Sequence, residues 1–199
     1  MTARLTRRGW QTLAAAAALA IVTITVAAVA VAGRSPGGAF PPLHPAAAPA
    51  GWPHLTLPGG TAVLSYPPSL RPLAGDKAAV TAAQLSAGGR YQLYLNATPR
   101  QGTEALHGWA AFRLHHLLSD HAAAAHEVAA AQGVKFRGGT GSCVIDNYRT
   151  RIGAHHFQEI ACLVQGHTSA SVIVAAAPAA TWAQARPLLF QAVGAYLVR

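Results

Sequence analysis

Residues Thr12 to Ala32 read TLAAAAALAIVTITVAAVAVA, 21 positions without a charge, a glycine or a proline. As a helix rising about 1.5 Å per residue, this run is roughly 31 Å long, the thickness of a bilayer's hydrocarbon core. Arg4, Arg7 and Arg8 precede it and Arg34 alone follows closely. By the positive-inside rule this places residues 1–11 in the cytoplasm and the chain beyond the run outside it. The expectation is a single-pass signal-anchor helix over residues 12–33, with the bacterial cell membrane as its partner. Ala30-Val31-Ala32 also offers a signal-peptidase site, although a cleaved signal has a shorter core of about 7–15 apolar residues. No cysteine follows the run, which excludes a lipoprotein anchor.

Beyond the run, residues 34–53 read RSPGGAFPPLHPAAAPAGWP, with six prolines in twenty positions. Such text disfavours helix and sheet ladders and favours extended, semi-stiff backbone. A linker is expected here, with a reach on the order of 60 Å at about 3.1 Å per residue. Residues 54–199 are then the extracytoplasmic domain, long enough for one buried core. From Arg34 onward 12 Lys and Arg stand against 6 Asp and Glu. The surplus favours anionic envelope components, but the arginines are scattered and not interleaved with aromatics, so nucleic acid is not an expected partner.

The two cysteines, Cys143 and Cys162, both fall in the exported part, where an even count suggests a disulfide. Ser142 to Arg151 and His155 to Gln165 read as strands joined at Arg151-Ile152-Gly153-Ala154. Folded symmetrically, that hairpin sets Cys143 opposite Cys162, Ile145 opposite Ile160 and Tyr148 opposite Phe157. Directly opposed residues of an antiparallel pair approach to the separation a disulfide needs. Thr61 to Tyr66 reads as a strand, and Ala78–Leu85 with Arg90–Ala97 as a second hairpin about Ala87-Gly88-Gly89. Thr103 is a plausible N-cap for a helix from Glu104 to Gln132, broken near Ser119-Asp120 and ended by Gly133. Ser169–Ala176 is an apolar strand, and Trp182–Leu197 a last helix with Trp182, Leu189, Val193 and Tyr196 near helical spacing. Strands, helix, strands, helix make an α+β domain, an antiparallel sheet covered by helices.

These elements resemble a known family. The strand ending Ser65-Tyr66-Pro67, the cysteine hairpin, the strand SVIVAAAP and the helix opening at Trp182 are similar to the PsbP-like α/β/α sandwich, in particular its exported, membrane-tethered actinobacterial members. The resemblance covers residues 60–199 in element order. Its specific text is a Tyr-Pro strand end and a Pro-x-x-x-Trp helix start, and Leu70 stands where many members carry Trp. It implies a binding or assembly module and names no particular partner.

Two constellations carry chemistry worth weighing. His115, His116, His121 and His126 crowd the first predicted helix, yet no two have the i, i+3 or i+4 spacing of metal ligands on one face. His116 with Asp120 is the best local pair, with Glu127 further along the same side. His121 falls in the arc of Leu106, Leu114, Leu117 and Val128, a core position. In the register that pairs the cysteines, Asp146 faces Glu159, two of only six acids in the chain. Opposed like charges cost stability unless a cation, an arginine or a shared proton relieves them. They are read either as an acid pair for a cation or for acid/base chemistry, or as a structural pair met by Arg113 or Arg137. Gly138-Gly139-Thr140-Gly141-Ser142 lacks the lysine and helix of a phosphate loop and reads as a flexible turn, and no hydrolase elbow, zinc motif or Cys-x-x-Cys is present. No metal or cofactor is expected. The expected function is a membrane-anchored extracytoplasmic module that binds a protein or envelope component without catalysis. The alternatives are a carrier of lipid or another apolar ligand, and an envelope hydrolase built on the histidines or on Asp146 and Glu159.

Overall fold

A computed structural model describes residues 38–75 and 78–199. The expected membrane helix and the start of the linker lie outside these residues, and no helix among the described residues is long and apolar enough to cross a membrane. In chain order the elements are β1 (His54–Thr56), β2 (Ala62–Ser65), β3 (Arg71–Leu73), β4 (Val80–Leu85), β5 (Tyr91–Pro99), α1 (Trp109–Asp120), β6 (Ala122–Phe136), β7 (Gly139–Thr150), β8 (His156–Gly166), β9 (Ala170–Pro178), α2 (Trp182–Ala195) and β10 (Leu197–Val198). Seven strands form an antiparallel sheet in the order β3-β4-β5-β9-β8-β7-β6, and β1-β2-β10 form a small second sheet.

Period-two alternation sends the side chains of the large sheet into two cores. Cys143, Ile145, Ile160, Cys162, Ile173 and Ala175 pack with Leu64, Leu189 and Val193 from β2 and α2. Val144, Ala161, Leu163, Val172 and Val174 face the other way, onto Trp109 with Leu106, Ala110 and Leu114 beside it. The indole N–H of Trp109 donates to the Ala161 carbonyl at 2.9 Å, which pins α1 to β8. The result is an α+β sandwich: helix, sheet, then helix with the small sheet.

The cysteine hairpin folds as its symmetry requires. Cys143 pairs with Cys162, Ile145 with Ile160 and Tyr148 with Phe157, and the two sulfurs are bonded. The hairpin β4–β5 turns at residues 87–89, and the last helix opens at Trp182, both as read from the sequence.

The first helix does not fold as read. It starts at Trp109, not Glu104; Gly108, at φ 79°, takes the left-handed turn that leads in. Its end is the larger correction. Residues 122–132, expected as helix, lie instead in the 15-residue edge strand β6. Alanine favours helix, but without β6 the outward-pointing N–H and C=O groups along one edge of β7 would be unpaired, and β6 supplies that ladder. The stop comes from Arg151, whose guanidinium donates to the carbonyls of Leu118, Ser119 and Ala122 while its backbone N–H donates to His121. A cation there satisfies the helix's last carbonyls and complements its dipole.

The described part of the Pro-rich segment, from Gly38 onward, forms no helix or ladder, but it is not a free spacer. Phe40, Leu43 and Trp52 pack against the α2-side core, Ala46 donates its N–H to Gly194, and Gly38 donates to Val128 on β6. A side chain at Gly194 would meet the His44 carbonyl oxygen at 2.5 Å, so only glycine lets the segment lie this close to α2.

Candidate functional site

On the α1 face of the large sheet one lateral row runs Glu127, Asp146, Glu159, Ala176 and Tyr94, through β6, β7, β8, β9 and β5. Three of the chain's six acids therefore stand side by side. Asp146 and Glu159 share a face and are 0% and 1% exposed. Glu127, read as part of a helix face with His116, reaches this row because β6 is a strand. The sequence signal that could have found it was the break at Ser119-Asp120.

The charge of Glu159 is met by Arg113 from α1, whose Nε and Nη2 both lie 2.7 Å from its Oε1. Arg137, the other candidate, instead donates to the Ala195 carbonyl at the end of α2. Asp146 receives no hydrogen bond at either oxygen, nor does Oε1 of Glu127. Burial, then the neighbouring Glu159, pushes the Asp146 carboxyl up to about 9, against a partly compensating pull from Arg113. Burial beside Glu159 therefore favours the protonated form of Asp146 at neutral pH. Burial lowers the Arg113 guanidinium's pKa, but Glu159 and Asp146 raise it by more. The acid pair is thus relieved by both an arginine and a proton.

Beside this cluster lies a cleft of about 400 Å³, because Ala176 and Val174 leave space between Tyr94 and Glu159 where α1 has ended. Tyr94, Asn96, Arg113, His121, Tyr148 and Phe157 line it. The rings of Tyr148 and Phe157 stack at 5.6 Å and 20°, and His121 stands edge-on to Tyr148. Burial, then Glu159, pushes the Tyr148 hydroxyl far above its ordinary pKa; burial, then Tyr91, raises that of Tyr94. His121 is not a core residue, as its spacing suggested, but an exposed residue just past α1. Partial burial of its ring, then Arg113, lowers its pKa. A second groove of about 470 Å³ adjoins the cleft and shares Tyr91, Thr150 and Phe157 with it.

His116 and Asp120 do pair, Nε2 to Oδ2 at 3.2 Å, on the half-exposed outer face of α1. Among the described residues no group of three His, Cys, Asp or Glu side chains is arranged to hold a metal.

The solution structure of cyanobacterial PsbP (CyanoP) from Synechocystis sp. PCC 6803 superposes on this chain with a TM-score of 0.52 and 12% identity, over 74% of this chain and 92% of that one. The fold is PsbP-like. A Pseudomonas aeruginosa protein of unknown function is also similar, with a TM-score of 0.46 and 12% identity over 74% of this chain and 97% of its own. A Bacteroides thetaiotaomicron protein reaches a TM-score of 0.45 at 10% identity over 73% of this chain, which spans about half (48%) of that protein's length. No family model and no curated protein matches the sequence. At 12% identity the PsbP-like fold is shared, and side-chain chemistry is not inherited with it.

Proposed function

We propose that the chain is a membrane-tethered binding domain of a bacterial cell envelope, of the exported actinobacterial kind its sequence resembles, held outside the cytoplasm by residues 12–33 and acting without catalysis on a protein or envelope component. The observation that carries this reading is the Cys143–Cys162 disulfide, buried between central strands. Such bonds form and persist in oxidising compartments. The apolar run and its preceding arginines supply a route there. The chemistry of the α1 face supports binding over hydrolysis. Glu159 is occupied by Arg113, Asp146 lies under the sheet's cover, and His116–Asp120 is a solvent-facing pair. A lipid carrier is less well supported, because the cleft is open and ends on Arg113 and Glu159, which an acyl chain would strip of water without replacement.

The test is fractionation of bacteria expressing the full chain, followed by protease treatment of spheroplasts. The expected result is recovery with membranes, cleavage by external protease, and a mass two hydrogens short of the reduced chain. A protease-protected chain with two free thiols would overturn the location, and with it the tether.

A further inference from the structure

We infer that the cleft on the α1 face is a saccharide subsite that accepts a neutral, polyhydroxylated ring. This deepens the binding reading and rests on it for the ligand's class of source, while binding itself is independent of where the chain resides.

Three features of the cleft converge on that ligand. Its walls are flat aromatic rings: the stacked Tyr148 and Phe157 on one side, and on the other Tyr94 with Tyr91 edge-on to it at 5.3 Å. Such faces suit the C–H faces of a sugar ring. Its polar groups offer both donors and acceptors. Arg113 directs Nε and Nη2 at a single carboxylate oxygen, and its fork holds further N–H groups. Asn96 uses its amide nitrogen on the Val80 carbonyl at 3.4 Å and the Thr81 hydroxyl at 2.9 Å, which leaves its carbonyl oxygen to accept. A sugar hydroxyl both donates and accepts, so one ring with several hydroxyls answers both.

The third feature is charge. Arg113 and Glu159 compensate each other, and Asp146 carries its proton, so the cleft favours neither an anion nor a cation by net charge. A purely apolar ligand would desolvate the Arg113 fork and the Asn96 oxygen without giving either a partner, at a cost typical of buried unsatisfied groups. At about 400 Å³ the cleft lies toward the small end of ligand sites, about 300–1,000 Å³, the scale of a mono- or disaccharide unit.

The experiment is saturation-transfer NMR on the full chain in detergent micelles. The probes are D-glucose, D-galactose, D-mannose, D-arabinose, maltose and cellobiose at millimolar concentration, with indole as the flat apolar competitor. Expected is transfer to the ring C–H protons of at least one sugar, reduced at least five-fold in Tyr91→Ala and in Asn96→Ala and unchanged in Arg186→Ala on α2. Tyr91 is 41% exposed, so its truncation leaves the fold intact. Intermolecular contacts from sugar protons to the Tyr148 ring give a second readout in the unaltered chain. The inference is overturned by transfer to indole with none to any sugar, by no transfer at all, or by transfer that both variants preserve. A chain that binds sugar but fractionates with the cytoplasm would overturn the tether and leave the subsite standing.

Discussion

Asp146 and Glu159 show how a buried acid pair is made tolerable, and each partner's removal has a different expected cost. In the folded chain Asp146 holds its proton up to about pH 9, whereas an unfolded carboxyl releases it near 3.8. Between those values the folded state binds the extra proton, so this acid's contribution to stability is complete below pH 4 and is lost as pH rises through 9. Asp146→Asn keeps the shape of the side chain and removes its titration. It should flatten the fall in stability between pH 5 and 9 and gain on the order of 1 kcal/mol at pH 8, read from urea denaturation at several pH values. An unchanged slope would show that the proton is not held by Asp146. Arg113→Met should behave oppositely: it strands Glu159 in the sheet and costs about 3–5 kcal/mol, most of which the double change with Glu159→Leu restores.

At the scale of elements, the turn from α1 into β6 is decided by a contact distant in sequence. The alanines after His121 have the highest helix propensity of any residue, yet they lie in an edge strand. Arg151 terminates the helix from the far end of β7, thirty positions away. Arg151→Met should fray the last turn of α1 and cost about 1–2 kcal/mol, visible as faster amide exchange at His121 and its neighbours. The disulfide acts within one hairpin. It joins residues 19 positions apart, and Cys143→Ala with Cys162→Ala should lower stability by about 3 kcal/mol in thermal or chemical unfolding. A loss well under 1 kcal/mol would mean that hairpin pairing alone restricts the unfolded chain.

For the whole molecule, the described part of the Pro-rich segment belongs to the domain. A chain beginning at residue 34 keeps Phe40, Leu43 and Trp52 on the core; one beginning at residue 54 exposes the surface they cover. The shorter chain should melt several degrees lower, since each such side chain is worth about 1–3 kcal/mol when buried. Gly194→Val should release the segment without touching its own residues. Limited proteolysis would then cut between Phe40 and Trp52 in the variant and spare the original chain. Resistance of the variant would place the segment's hold elsewhere.

The register of the hairpin β7–β8 was legible, although Gly139–Gly141, read as a flexible turn, extend β7 and pair with β8. The hairpin's two strands adjoin in sequence about a short turn, so the opposition of Cys143 with Cys162 and of Asp146 with Glu159 needs only that the turn be symmetric. The hairpin β4–β5, the strand β9 and the helix α2 were legible for the same local reason: period and punctuation lie within the element. Arg113 was one of two named candidates for the acid pair, and only its position on α1 separated it from Arg137. The length of α1, the strand character of residues 122–136, the third acid in the row and the cleft beside it were decided by tertiary structure alone. Each depends on residues far apart in sequence: Arg151 on the α1 carbonyls, β7 on its missing neighbour, Ala176 between Tyr94 and Glu159. Local propensity is worth tenths of a kcal/mol per residue, and satisfying a buried strand's backbone is worth more, so the sheet overrode the alanines.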